Sequence, residues 1–302
     1  MSRQYVFTTT YGGPDGEKLT ERPVPEPGTG QVTVQVKAAG VNPVDWKIRQ
    51  GLLGTREPVP VPMGREVAGV VTAVGADVAD LTAGDEVLGL VAHGEGGFAD
   101  HTLLDAADLV AKPEDISFAT AALIPVAGTT AYDLTHQIEL EEGQSLVILG
   151  AGGGVGHLAA QIGRVHQFRV IGVASEGKRE LVESTGAVFV AAGAGAADAV
   201  RDLLPEGADL LVDLVGGQAL RDLAAVAKSP GLIVSAADGD TAVALGGSGR
   251  EADPESLSKI TDVIGYQVIT PQVSHTFGLD QAREALALVE SGHATGKVII
   301  AP

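Results

Sequence analysis

The chain contains no cysteine, so disulfides, thiolate nucleophiles and thiolate-bound zinc are excluded whatever the compartment. No stretch approaches the roughly 18 consecutive apolar residues of a membrane span. The opening MSRQYVFTTTYGGPDGEK has no apolar core of signal-peptide length. A cytoplasmic location without a membrane partner is the expectation. Positive charge is scarce as well, with 20 Lys plus Arg against 39 acids and a net charge of −19. That balance opposes phosphate polymers, so no nucleic-acid partner is expected. The seven histidines, His93, His101, His136, His157, His166, His275 and His293, show no ligand spacing such as H-x-x-x-H and have no thiol partners. No metal is expected.

What is present is a chain of 302 residues, 45% hydrophobic and 20% charged, enough to bury cores in one or two domains. QVTVQV from Gln31 alternates as a half-buried strand does, and EVAGVVTAVG, DEVLGLV and FADHTLL follow between Gly, Asp and Pro punctuation. The first hundred or so residues therefore read as a compact antiparallel or barrel-like β domain. After Asp115 the pattern becomes helical. SLVILG, FRVIGVA, AVFVAA, ADLLVDLVG, GLIVSAA and VIGYQVI then recur as short apolar runs, most of them separated by amphipathic or alanine-rich segments. This rhythm predicts an α/β fold with a parallel six-stranded sheet wound on both faces. Gly239 to Ser256 reads as a mobile excursion. The final LDQAREALALVESGHATGKVIIAP reads as helix, turn and closing strand.

LVILGAGGGVGHLAAQ, Leu146 to Gln161, carries the chemistry. A strand meets Gly152, Gly153, Gly154, Val155 and Gly156, and Val155, Leu158, Ala159, Ile162 and Val165 then mark a helical stripe. Bare glycines let backbone N–H groups approach a pyrophosphate at the positive end of a helix. Read as G-x-G-x-x-G, the pattern puts Ala151 in the first glycine position. The end of the next strand decides the dinucleotide. Ser175, Lys178 and Arg179 would give a 2′-phosphate charge-assisted hydrogen bonds, which favours NADPH against the counter-signal of Glu176. The rule that ligands lie beyond the carboxyl ends of parallel strands adds Val215, Ser235, Ala236 and Ala237.

Many of these segments, taken in order, resemble the medium-chain dehydrogenase/reductases, and the zinc-free quinone oxidoreductase branch in particular. The carriers are YGGPD at Tyr11, AAGVNPVDWKIRQG from Ala38, GREVAGVVTAVG from Gly64, AGDEVLG, GGFADHTLL, PVAGTTAY from Pro125, AGGGVG from Ala151, LVDLVGG from Leu211 and SGHATGKVII from Ser291. The resemblance implies a GroES-like β-barrel-type catalytic domain over 1–116 with 268–302 returning to it. A Rossmann NADP-binding domain would occupy 117–267, with cofactor and substrate meeting in the cleft between the two. Zinc-dependent relatives carry a cysteine near Asn42 and a histidine where this chain has Arg65, and both ligands are missing here. Without a Lewis acid, alcohol oxidation is disfavoured.

The implied activity is metal-free hydride transfer from NADPH to a quinone or small α,β-unsaturated carbonyl. Asn42, beside the nicotinamide by resemblance, offers an amide to a carbonyl oxygen or the ribose, or else is an Asn-Pro turn residue. Asp45 in the same loop transfers protons or anchors the loop. Thr130 and Tyr132 resemble cofactor contacts, and Trp46, Leu53, His93 and Tyr132 are assigned to the pocket. Lys297 is expected to be a solvated charge. Relatives acting on quinones or enoyl thioesters carry a tyrosine after R-x-G, whereas here Arg49-Gln50-Gly51 leads to Leu52 and Leu53. That disfavours an enoyl-thioester reductase and keeps open a nucleotide-binding sensor or structural protein with little turnover. A homodimer is expected, with VIGYQVI as a possible edge strand.

Overall fold

The computed structural model describes residues 1–7, 11–53 and 59–302. It divides into two compact units, Met1–Val126 with Val273–Pro302, and Ala127–Gln272. In the first unit, β1 (Ser2–Phe7) pairs antiparallel with β2 (Glu17–Arg22), and β3 (Gln31–Val41) leads directly into α1 (Pro43–Arg49). β4 (Val61–Pro62) joins β1, and β5 (Glu66–Val74), β6 (Glu86–Leu90), β7 (His101–Asp105), β8 (Leu109–Ala111) and α2 (Phe118–Ala121) follow. β3 keeps the alternation of its sequence, with Val32, Val34 and Val36 buried and Gln35 exposed. Thr33 is buried as well, because its hydroxyl donates to Pro25 O at 2.8 Å and so needs no water.

The second unit contains α3 (Thr129–His136), β9 (Ser145–Leu149), α4 (Gly154–Val165), β10 (Arg169–Ala174), α5 (Arg179–Ser184), β11 (Val188–Ala191) and α6 (Ala196–Leu203). β12 (Leu210–Asp213), α7 (Gly217–Leu223), β13 (Ile233–Ser235), α8 (Gly239–Ala244), β14 (Ser248–Gly249) and α9 (Ser256–Gly265) complete it. Its six strands are parallel in the order β11-β10-β9-β12-β13-β14, so the order reverses beside β9. That reversal is where a doubly wound sheet opens a crevice for a nucleotide.

Two expectations fail here. VIGYQVI is not a strand: Ile260 and Ile264 are buried at helical spacing in α9, and the chain then turns through Gln267 at φ +56° with Tyr266 82% exposed. The sixth strand instead comes from the segment read as a mobile excursion. There Asp238 caps α8 by accepting the Thr241 N–H at 3.0 Å, and β14 pairs with β13. A Cβ on Gly247 would lie 2.4 Å from Ile233 O, so its lack of a side chain serves close approach to β13.

The chain then returns to the first unit as β15 (Val273–Gly278), α10 (Ala282–Glu290) and β16 (Lys297–Ala301). β16 lies antiparallel to β3, with Val298 opposite Val41, in a seven-stranded sheet of order β15-β16-β3-β5-β6-β8 in which β7 also pairs with β3. Val34, Val71, Phe98, Leu104, Leu286 and Ile300 share its core, so the last residues of the chain help close the packing begun by the first.

Candidate active site

In the second unit β9 ends at Leu149 and the chain reverses through Gly150 at φ +94°, a conformation that favours glycine. The tight-turn glycine is thus Gly150, one residue earlier than the motif reading placed it. Ala151 is buried instead, its Cβ 2.8 Å from where a Cβ on Gly172 would stand. Gly153 caps α4, so the N–H groups of Gly154, Val155 and Gly156 lie in the first helical turn, where α-helical i→i−4 bonding gives them no helical carbonyl. A Cβ on Gly156 would fall 2.3 Å from Gly150 O, and one on Gly153 would meet only that same oxygen at 3.5 Å. The turn is therefore tightly packed beneath Gly156 and open at Gly153, the shape a diphosphate requires.

The cations past β10 diverge. Lys178 lies across the turn, its Cβ and Cδ 2.6 Å from a Cβ built on Gly152, and partial burial lowers its ammonium pKa. Arg179, expected to share the 2′-phosphate, is held by Glu176 at 2.7 Å and Glu183 at 3.3 Å, with its guanidinium 4.1 Å from the Phe189 ring centroid. Glu176 thus competes for Arg179. Ser175 is exposed, and its carbonyl accepts the Lys178 N–H at 2.9 Å.

Beyond β12 and β13 the organising residue is Asp213, which the sequence reading passed over. Fully buried, it accepts from Ser235 Oγ at 2.6 Å, Val215 N at 3.0 Å and Gly216 N at 2.9 Å. The Ser235 hydroxyl in turn accepts from the Ala237 and Asp238 N–H groups, and Ala236 N–H donates to Asp213 O at 3.0 Å. These cofactor candidates therefore shape the carboxyl edge of the sheet with hydrogen bonds already made, leaving the exposed Val215 and Ala236 side chains for contact. An acid closing the apolar run LLVD before Gly-Gly was the available signal. Thr130 is buried in α3, whose neighbouring Thr129 and Asp133 accept from Arg250.

In the first unit Asn42 caps α1, and Pro43 at the first helical position sets the turn. The Asp45 carboxylate accepts the Asn42 backbone N–H at 2.8 Å. The Asn42 carboxamide donates from Nδ2 to Glu66 Oε1 at 2.7 Å, while its Oδ1 accepts from Lys297 Nζ at 2.5 Å. Lys297 also donates to Glu66 Oε1 at 3.2 Å and Val41 O at 3.4 Å, and Glu66 Oε2 accepts the Val126 N–H at 2.7 Å. A Cβ on Gly40 would stand 2.0 Å from Glu66 Oε1, so glycine there admits the carboxylate. One reading changes: Lys297 is 6% exposed and ion-paired, not solvated. The Asn42 amide has its principal bonds to Glu66 and Lys297. The partners are strands far apart in sequence, which no local pattern announces.

Asp45 is 3% exposed, and burial pushes its carboxyl up to about 7 despite the bond from Asn42; Glu66 pushes the same way, while Arg65 and Lys297 oppose. Because the folded value lies above the unfolded one, the protonated form favours folding. Its contribution is present below about pH 4 and is lost as pH rises to about 7, at most about 4 kcal/mol. Asp45→Asn keeps an oxygen for the Asn42 N–H and cannot ionise. Its melting temperature is expected to vary less than wild type between about pH 5 and 8, and parallel curves would show that Asp45 does not titrate there.

Of the assigned pocket residues, Trp46 is half-buried with Nε1 unpartnered among the described residues, whereas Leu53 is 47% exposed and His93 lies on the surface. Tyr132 stacks on His136 at 3.9 Å, with Lys259 Nζ 5.9 Å from its ring, so a neighbouring helical turn already covers one face.

Residues 28–114 match the alcohol dehydrogenase GroES-like domain, and 185–300 match the zinc-binding dehydrogenase family. The chain is 33% identical to 2-methylene-furan-3-one reductase of Solanum lycopersicum over 97% of this chain and 78% of that protein. It is 34% identical to the chloroplastic NADPH-dependent alkenal/one oxidoreductase of Arabidopsis thaliana, with the same coverage of 97% and 78%. The quinone oxidoreductase structure from Coxiella burnetii superposes with a TM-score of 0.89 at 26% identity, covering 100% of both chains. A glycine turn at the sheet's reversal, a β domain closed by its own C-terminal strand and relatives matched over 97% of this chain agree: the chain belongs to the medium-chain dehydrogenase/reductase family, on its quinone oxidoreductase-like branch.

Proposed function

We propose that this chain is an NADPH-dependent reductase that passes hydride to a quinone or a small α,β-unsaturated carbonyl, without a metal ion and as a cytoplasmic homodimer. The observation that carries the reading is the bare turn from Gly150 to Gly156 with Lys178 laid across it, in a chain whose relatives include an NADPH-dependent alkenal/one oxidoreductase. Bound NADPH would supply the hydride. The chain's own part is to receive the pyrophosphate on the N–H groups of Gly154, Val155 and Gly156, and the 2′-phosphate on Lys178 and Ser175. Thr130, Val215, Ala236 and Ala237 would line the nucleotide. We assign Asp45 to anchoring α1, since its carboxylate is engaged with the helix it begins. Among the described residues, no three His, Cys, Asp or Glu stand together as an ion's ligands. No helix among them is long and apolar enough to cross a membrane.

The test is loss of reduced-nicotinamide absorbance across a panel of quinones and enones, with and without chelator, alongside sedimentation for the assembly. NADPH binding without turnover of any acceptor would overturn the enzyme reading. Lys178→Ala is expected to raise the NADPH KM by roughly tenfold while leaving that for NADH within about twofold; Arg179→Ala, already tied to Glu176, shifts NADPH by less than about threefold. Equal losses for both nucleotides would remove Lys178 from 2′-phosphate recognition.

A further inference from the structure

We propose that Lys297 is a positioning residue for this reduction: donating to Asn42 Oδ1 while Glu66 accepts from Nδ2, it holds the carboxamide in one orientation, with the second Nδ2–H left for the acceptor's carbonyl oxygen. This rests on the reductase reading. A lysine ammonium only donates and a carboxylate only accepts, so the two ends of the amide cannot exchange places without setting like partners against each other. Three acceptors, Asn42 Oδ1, Glu66 Oε1 and Val41 O, surround Nζ and use its three protons. Glu66 is fixed in turn by the Val126 N–H and by the space that Gly40 leaves. Of the two amide protons of Asn42, one meets Glu66 at 2.7 Å, while the other has only Gly40 O at 3.5 Å, the limit of a hydrogen bond. Charge-assisted donation into Oδ1 also polarises the amide and strengthens the proton that remains.

Asn42 is the chain's single asparagine, so selective 15N-asparagine labelling yields a single side-chain NH2 group, read as one pair of proton signals. Wild type is expected to show two well-separated Asn42 amide protons. Lys297→Met with Glu66→Gln removes both charges together, so neither ion is left buried alone. In that variant the pair is expected to collapse toward free-amide values. Its kcat should fall roughly tenfold or more, with NADPH Kd and acceptor KM within about threefold. Lys297→Cys alkylated to the S-aminoethyl form rebuilds the ammonium at the one thiol in the chain. It should restore both readouts relative to unmodified Lys297→Cys, and that contrast decides the matter if the double variant does not fold. Unmoved Asn42 signals, or moved signals with unchanged kcat, overturn the proposal. If wild type reduces no acceptor, the reductase reading fails by itself, and the amide spectrum still decides whether the clamp exists.

Discussion

Arg49→Met is expected to destabilise the protein by about 3–5 kcal/mol, a fall in melting temperature on the order of 10 °C. Arg49 is 1% exposed near the end of α1, paired with Glu17 and, at 2.7 Å, with Glu290. Glu17 is buried and also accepts from the Tyr5 hydroxyl at 2.9 Å, while its backbone carbonyl accepts from Arg283. Removing the guanidinium therefore leaves a carboxylate buried away from water with only the more distant Arg283, whose Nε lies 3.8 Å from Glu17 Oε2, as its cation. Losing the near partner is the expensive half of a buried pair. Glu290 is partly solvated and loses less. The same contacts pin the end of α1 opposite Asn42, so turnover should fall with stability. Arg49→Met with Glu17→Gln is expected to recover most of the loss, because the fully buried carboxylate is removed and the ions that lose a partner, Glu290 and Arg283, are partly solvated. Chemical denaturation of the two variants checks this, and a single variant within about 1 kcal/mol of wild type would show that the pair contributes little.

The second large effect is expected at Gly156. A methyl group there would lie 2.3 Å from Gly150 O and 2.6 Å from Ala151 Cα, both backbone atoms of the turn itself. Relief requires α4 to lift from β9, moving the N–H groups assigned to the pyrophosphate. Gly156→Ala should lower stability by about 1–3 kcal/mol and weaken NADPH binding by roughly tenfold or more. Gly153→Ala separates the two causes, since its methyl would meet only Gly150 O at an ordinary 3.5 Å. It should melt with wild type yet bind NADPH less well, because the new group stands where backbone must approach phosphate. Calorimetric titration and thermal melts of the pair check this; if Gly153→Ala binds NADPH as wild type does, the diphosphate does not pass over this face of the turn.

Local pattern was enough to reveal the strand, bare turn and helix around Leu149, the two-residue alternation of β3, and the closing helix and strand, because each is set by neighbours within a few positions. Local pattern also misled. VIGYQVI has the composition of a strand, but Ile264 is buried one helical turn after Ile260 and the helix runs on to Gly265. Gly239 to Ser256 reads as a mobile excursion, yet Gly247 within it packs with no room for a side chain because Ile233 O lies against it.

By itself the sequence determined that the chain has no thiol chemistry, that it alternates β and α in its second half, and that it carries a glycine-rich turn between an apolar strand and a helix. Only the tertiary structure decided what the charges do: Lys297 beneath Asn42, Arg49 against Glu17, Asp213 behind Ser235, and Arg179 drawn toward Glu176 and Phe189. The physical reason is that hydrophobic period is written in adjacent residues, whereas a buried ion is tolerated only where distant strands and helices bring its partners within hydrogen-bonding distance.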